Sequence, residues 1–336
     1  MIIYNIIWLY FLLFLGCKRY KSLLLLFSFF ILLFLYSFRG EDVGVDTSTY
    51  LDIFKSITNV GYLDYIEPLW NAINLLVVEF SGNFNIVLFW AGCFTLIPVY
   101  IAISKFSIDG LLSLYIYFSM YLYCGSFNIM RQYISLSFLL LAYCYYKNRK
   151  YLFGLFFLFA LGFHTSSIFF LLIIPFSKVR ITKNRAIISL IISFFIGTFL
   201  CDKVVNLVLS FVYGGYAEKD LFRTDSIGFF FVMLMDAFFL LMIISSKAEV
   251  LNDKWAKLFL LSALVLNLTY PLELGARIYL IFAISNIFMY PLFLQNSIIH
   301  NNIFLKFGIV SFFAIQYWRL IISNANSVCP YSFHIY

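Results

Sequence analysis

Charge is what this chain has least of. Of its 336 residues only 12% are Asp, Glu, Lys or Arg, against about 25% in soluble domains, and that shortage excludes an ordinary water-soluble fold. Histidine is scarcer still, with His164, His300 and His334 far apart. The six cysteines, Cys17, Cys93, Cys124, Cys144, Cys201 and Cys329, form no CxxC pair and have no histidine at ligand spacing. A structural zinc site or a disulfide framework is therefore not expected. No P-loop, GxGxxG or HExxH occurs, so nothing points to nucleotides, and no metal or cofactor is expected. A net charge of +7 would suggest nucleic acid in a soluble chain. Here it fits lysines and arginines that hold cytoplasmic loops in place, and nucleic acid is not an expected partner.

Hydrocarbon is what the chain has most of, at 63% of residues. Apolar runs of roughly 15 to 25 residues recur from end to end, and a bilayer core needs about 20 per helix. They lack the ~10-residue alternation of a membrane barrel, so helices are the spanning element. The expected fold is all-α and polytopic, a single domain over 1–336 with about 10–13 transmembrane helices. Ile2 to Gly16 reads as a retained first span, because its basic residues Lys18, Arg19 and Lys21 follow the apolar run instead of preceding it.

Basic clusters at Lys18 to Lys21, Lys147 to Lys150, Lys178 to Arg185 and Lys247 to Lys257 set the orientation if short basic loops stay in the cytoplasm. Parity then requires Pro68 to Phe80, interrupted by Asn71, Asn74 and Glu79, to be interfacial or re-entrant. Between Lys150 and Lys178 the pattern reads as a broken pair, Tyr151 to Phe163 with Thr165 to Phe176, with a tilted single helix or a re-entrant hairpin as the competing readings. Segments 39–67 and 201–226 become the two sizeable extracytoplasmic loops. The Gly125 to Gln132 turn, the His164 break and the Pro271 to Arg277 segment fall on the same side.

Several polar residues need a reason to be there. In Arg39-Gly40-Glu41-Asp42-Val43-Gly44-Val45-Asp46 the glycines allow tight turns, and Asp46 reads as the N-cap of a helix carrying Tyr50. Arg39 is either a snorkelling end residue or part of a site. Arg131, flanked by Asn128 and Gln132, is either an interfacial anchor or a binder of anionic oxygen, and its donor-rich company suits an anion. His164 precedes Thr165, Ser166 and Ser167, good N-caps for a half-helix. A helix N-terminus attracts phosphate, and a neutral imidazole beside it takes or relays a proton. Arg277 either pairs with Glu273 at i,i+4 or belongs to the same site. Asp236, the most deeply placed acid, is a proton site or a helix–helix hydrogen-bond partner.

Taken together, Arg39-Gly40 with Gly44-Val-Asp46-Thr47 and Tyr50, then Asn128-Ile-Met-Arg131-Gln132, then Phe163-His164 with Ser166, and more loosely Arg277-Ile-Tyr279, resemble the EpsG-like polysaccharide polymerases. That family is related to the Wzy O-antigen and capsule polymerases. The resemblance covers about residues 30–285, with the motifs in the expected order. It implies a glycosyltransferase C-like enzyme of the bacterial inner membrane, its site facing the periplasm or exterior. Such an enzyme moves a growing glycan from undecaprenyl pyrophosphate to the non-reducing end of a new lipid-linked repeat unit, with a chain-length regulator as a compatible partner. On this pattern Arg39, Arg131 and Arg277 hold pyrophosphate, with Asn128, Gln132, Ser166 and Tyr50 among the substrate-binding residues. His164 is the first candidate base and Asp46 the second. An O-antigen ligase and a transporter or flippase of lipid-linked oligosaccharide are the competing readings. The first expects a histidine in a large outer loop, and the second expects charges lining a path across the bilayer.

Overall fold

The computed structural model describes residues 1–17, 19–212, 227–272, 275–296 and 303–336, without side chains at 202–212 and 227. Lys18, Arg223, Glu273 and His300 lie outside the described residues, as does most of the expected 201–226 loop. The described residues form helices without strands, and the protein is an all-α polytopic membrane protein. Two compact units divide the chain, the first from Met1–Ile168 with Ile303–Tyr336 and the second from Phe169–Asn302.

The first unit holds α1 (Ile2–Leu13), α2 (Lys21–Ser37), α3 (Thr47–Val60), α4 (Pro68–Glu79), α5 (Phe84–Phe106), α6 (Gly110–Ser119), α7 (Leu122–Gly125), α8 (Met130–Tyr145) and α9 (Lys150–Phe163). Helices α2, α5, α8 and α9 pack side by side in that order. Helix α8 is buried from Gln132 to Cys144 without interruption, as expected of a helix that is apolar all round. The expected Gly110 to Gly125 span is instead two pieces, because Tyr121 adopts a left-handed conformation at φ 64° and ends α6. Helix α4 is a short piece that leans on α3, α5 and α9. The predicted break at His164 is present: a 3₁₀ stretch over Thr165–Leu172 follows α9.

The second unit holds α10 (Ile173–Lys178), α11 (Lys183–Val212), α12 (Ile227–Ser245), α13 (Lys254–Thr269), α14 (Gly275–Ala283) and α15 (Asn286–Asn296). Helix α11 runs through Cys201 to Val212, so the expected loop does not begin at Cys201. Helix α13 packs against the other five. Its Lys257 is buried and donates from Nζ to the carbonyls of Ser177 at 2.6 Å and Val179 at 2.7 Å, which spares an ammonium the cost of an unpartnered burial. Asp236 of α12 interacts with Asn267 of α13. Asn267 Nδ2 in turn donates to Leu190 O and Ser193 Oγ of α11. Of the two readings of Asp236, this arrangement is that of a helix–helix partner.

The chain returns to the first unit through α16 (Ile303–Ile322), whose Tyr317 stacks on Trp8 of α1 at 5.4 Å. Four described helices or helix segments, Phe84–Phe106, Lys183–Cys201, Gly228–Ser245 and Ile303–Ile322, are each long and apolar enough to cross a bilayer. The pair α14 and α15, bent by 49°, makes a fifth if taken as one span.

After α16 the chain folds back as a strap over the loop that follows α2. Arg39 pairs with Phe333 in an antiparallel bridge. Gly40 N donates to Ser332 O and Gly44 N to Ser327 O, each at 3.0 Å, and His334 N donates to Phe38 O. Gly44 sits at φ +96°, a conformation that favours glycine, and the loop turns there toward α3.

Beneath the strap, Arg39 is fully buried, at 0% exposure. Its guanidinium lies 4.2 Å from the Tyr36 ring centroid and 4.5 Å from that of Phe127. It donates to Tyr36 O at 2.7 Å and contacts Thr47 Oγ1 and Met130 Sδ. No carboxylate pairs with it among the described residues. Two aromatic faces and a carbonyl replace its water. Arg39→Ala is expected to destabilise the protein by about 3 kcal/mol. Arg39→Lys, which cannot reproduce the planar stack, should recover less than half of that. Equilibrium unfolding in mixed micelles is the measurement, and wild-type stability in both variants would disprove this role.

Candidate functional site

The site starts from a proline. Pro68 at the first position of α4 leaves Glu67 as its N-cap, with φ −58° and ψ 145°, and the Glu67 side chain does not cap the helix. The turn before it is fixed by Asn71, fully buried, whose Nδ2 donates to Leu63 O at 2.9 Å and Ile66 O at 2.8 Å while its Oδ1 accepts from Leu63 N. An asparagine that looked like an interruption of a span is thus a clip that aims Glu67.

Two cations or potential cations meet on that carboxylate. Arg131, the second residue of α8, donates from Nη1 to Glu67 Oε2. His164, the residue that ends α9, places Nδ1 2.9 Å from Glu67 Oε1. Helices α4 and α9 come close enough for this because Gly162 has no side chain: a Cβ there would run into Leu69. The His164 turn is also tied down. Ser167 Oγ donates to His164 O at 2.7 Å, and the Ser167 and Ser135 hydroxyls are hydrogen-bonded, Ser135 lying one turn along α8 from Arg131. Tyr50 of α3 joins from the other side, its hydroxyl hydrogen-bonded to Arg131 and its ring edge-on to Trp70 at 5.1 Å.

The electrostatics follow from this. Burial by itself raises the Glu67 carboxyl, but the His164 hydrogen bond and the Arg131 charge outweigh it and hold the pKa below the ordinary carboxylate value. An ionised carboxylate only accepts hydrogen bonds, so the proton of a neutral His164 sits on Nδ1. Nε2 then carries the lone pair. His164 and Arg131 each expose about a quarter of their side chains, 25% in both cases. The cluster therefore offers a base and a guanidinium on the two oxygens of one anion. An apolar groove of about 340 Å³ runs between α4 and α5, lined by Ile73, Leu76, Val77, Phe80, Trp90 and Phe94. Its lining residue Phe94 packs 5.6 Å from Phe163, the residue before His164.

The expected residues do not all come together. Arg131, His164 and Tyr50 come together, and Asp46, partly exposed, lies near enough to Tyr50 to act on it electrostatically. Gln132 is buried beside Arg131 and Ser166 is partly exposed beyond His164. Asp46 occupies the N-cap position of α3 as predicted, but its side chain makes no capping bond. Thr165 to Ser167 open a 3₁₀ stretch instead of an α-helix. Asn128 is a bridge: its Oδ1 accepts from Asp46 N at 3.4 Å and its Nδ2 donates to Asn326 O at 3.3 Å. Arg39 is enclosed as described above. Arg277 lies on the exposed side of α14, in the second unit. Glu67 was not among the sequence candidates. Its only local signal is a lone acid immediately before a helix-opening proline.

The fold is that of a helical membrane protein whose first unit brings the carboxylate of Glu67 together with Arg131 and His164. The sequence matches the EpsG family over residues 22–333, nearly the whole chain, and the protein belongs to that family. It is thus a polysaccharide-polymerase-like, glycosyltransferase-like membrane protein of polysaccharide biosynthesis. No curated protein and no solved structure matches it.

The depressed carboxyl of Glu67 gives a pH prediction. A group whose folded pKa lies below its unfolded value adds stability above the unfolded value and loses it as pH falls through the folded one. Wild type should therefore melt above Glu67→Gln at pH 6 to 8, and the gap should close as pH drops below about 4.3. Melting curves in detergent at stepped pH would measure this, and a gap that widens on acidification would refute it.

Proposed function

We propose that this protein is a surface-polysaccharide polymerase, for O-antigen or capsule, that transfers the growing glycan from undecaprenyl pyrophosphate to the non-reducing end of a newly arrived lipid-linked repeat unit. The observation that carries this is the single carboxylate of Glu67 holding both His164 and Arg131. A transfer of this kind needs a base at the acceptor hydroxyl and a cation at the leaving group, close together and shielded from water.

In the proposed step His164 Nε2 takes the proton of the acceptor hydroxyl. The acceptor oxygen bonds to the anomeric carbon of the donor sugar, and the bond from that carbon to the pyrophosphate oxygen breaks. The electron pair leaves with the pyrophosphate. Arg131 meets the charge that develops there, with Tyr50 and Gln132 beside it. One displacement inverts the anomeric carbon. Glu67 stabilises the imidazolium as it forms and keeps Nδ1 protonated in the resting state. Asp46 is the second candidate base. Ser166 is assigned to the glycan side, and Arg277 is carried over as a pyrophosphate residue from the family pattern alone. Arg39, with no exposed face, is assigned to support of the loop instead of ligand contact. The apolar groove between α4 and α5 suits the isoprenoid chain of the carrier, since apolar chains partition into such surfaces without directional bonds. The reading places the protein in the bacterial inner membrane, with the site toward the exterior. A chain-length regulator is a compatible partner.

His164→Gln should cut polymer synthesis by about 10²- to 10⁴-fold. Arg131→Gln should do the same to a similar degree. Glu67→Gln should fall by about 10- to 100-fold, the worth of a charge-assisted hydrogen bond. Complementation of a deletion strain, read as glycan ladder length at matched protein levels, tests all three. Normal long chains from His164→Gln or Arg131→Gln would overturn the proposal.

A further inference from the structure

The strap over residues 325–336 is absent from the chemistry above, yet it is bonded to the loop that leads into α3, the helix that carries Tyr50. Four main-chain hydrogen bonds join the two, three from loop amides and one from a strap amide: Gly40 N to Ser332 O, Gly44 N to Ser327 O, Val45 N to Asn326 O, and His334 N to Phe38 O. Tyr121 Oη also donates to Ala325 O, and Tyr331 Oη to Leu35 O at 2.7 Å. This is more than a tail resting on a surface.

We infer that the strap is a positioning element of the site and that Asn128 is the residue that couples the two. Its amide oxygen receives Asp46 N, the first residue of the turn into α3, and its amide nitrogen reaches Asn326 O on the strap. Asn326 O also receives Val45 N, so one strap carbonyl holds both the loop and the clip. Asn128 lies three residues before Arg131, at the entry to α8. Asp46 lies four residues before Tyr50, whose hydroxyl contacts Arg131. A shift of the loop would therefore move Tyr50 relative to Arg131. Small misplacements of this kind cost a great deal in a preorganised site. Asn128 thus acts through Tyr50 and Arg131 and not by touching substrate. This rests on the polymerase reading for its activity readout, but not for its structural one.

The test uses the full-length protein. Asn128→Ala should lower polymer synthesis by up to about a hundredfold and should speed hydrogen exchange at Gly40, Gly44 and Val45, whose acceptors are strap carbonyls. Covalent replacement of the clip distinguishes positioning from contact. Asp42 and Ser332 touch through their side chains, so Asp42→Cys with Ser332→Cys, in a Cys329→Ser background, offers a disulfide from loop to strap. When oxidised, it should return Asn128→Ala to within about threefold of its parent, and dithiothreitol should abolish the rescue. Unchanged exchange in Asn128→Ala, or full polymer synthesis, overturns the inference. So does a lost activity that the oxidised clip fails to restore while the clip alone remains active. His164→Gln run in parallel separates the two ideas: polymer synthesis that survives it sinks the polymerase chemistry, whereas faster exchange in Asn128→Ala still upholds the strap's hold on the loop.

Discussion

One carboxylate sets the terms for the first unit. Inside an apolar helical wall an isolated anion is costly, and Glu67 meets that cost with two partners drawn from different helices. Each partner needs the anion as much as the anion needs it. Arg131 would otherwise be a half-buried cation, and His164 would have no group to fix its tautomer. Because the three settle one another, the helices that carry them are held to a common geometry. The close approach of α4 and α9 at Gly162 and the hydroxyl contact between Ser135 and Ser167 are the packing that this geometry requires.

Arg39 shows the other way to keep a charge out of water. It uses no anion but two aromatic faces, a carbonyl and a thioether. At 0% exposure that environment leaves no open face for a ligand. The two arginines, so alike as motif residues, therefore differ in kind. One guanidinium keeps a quarter of its side chain exposed, and the enclosed one carries the loop and its strap.

Membership of the EpsG family gives this arrangement a chemical setting. A lipid pyrophosphate donor brings its own leaving group, so a site that transfers its sugar needs only a base, a cation and shelter from water. On the proposed reading, the Glu67 cluster supplies those parts. An apolar groove lies between α4 and α5, and one of its lining residues, Phe94, packs on Phe163, the residue before the imidazole.

Composition alone determined the all-α membrane class, because so little charge and so much hydrocarbon leave helices as the only way to satisfy the backbone. Local chemistry also made the polar breaks legible, among them the turn at Gly44, the start of α3 after Asp46 and the interruption at His164. What tertiary structure decided is which polar residues meet. Glu67 finds Arg131 64 positions away and His164 97 positions away, and no local pattern encodes a pairing at that distance. Whether Arg39 snorkels, joins a site or is enclosed was equally undetermined, since its neighbours in the sequence suit each. The strap over residues 325–336 was invisible for a related reason: its hold is through main-chain amides and carbonyls, groups that every sequence has and only a fold can bring into register.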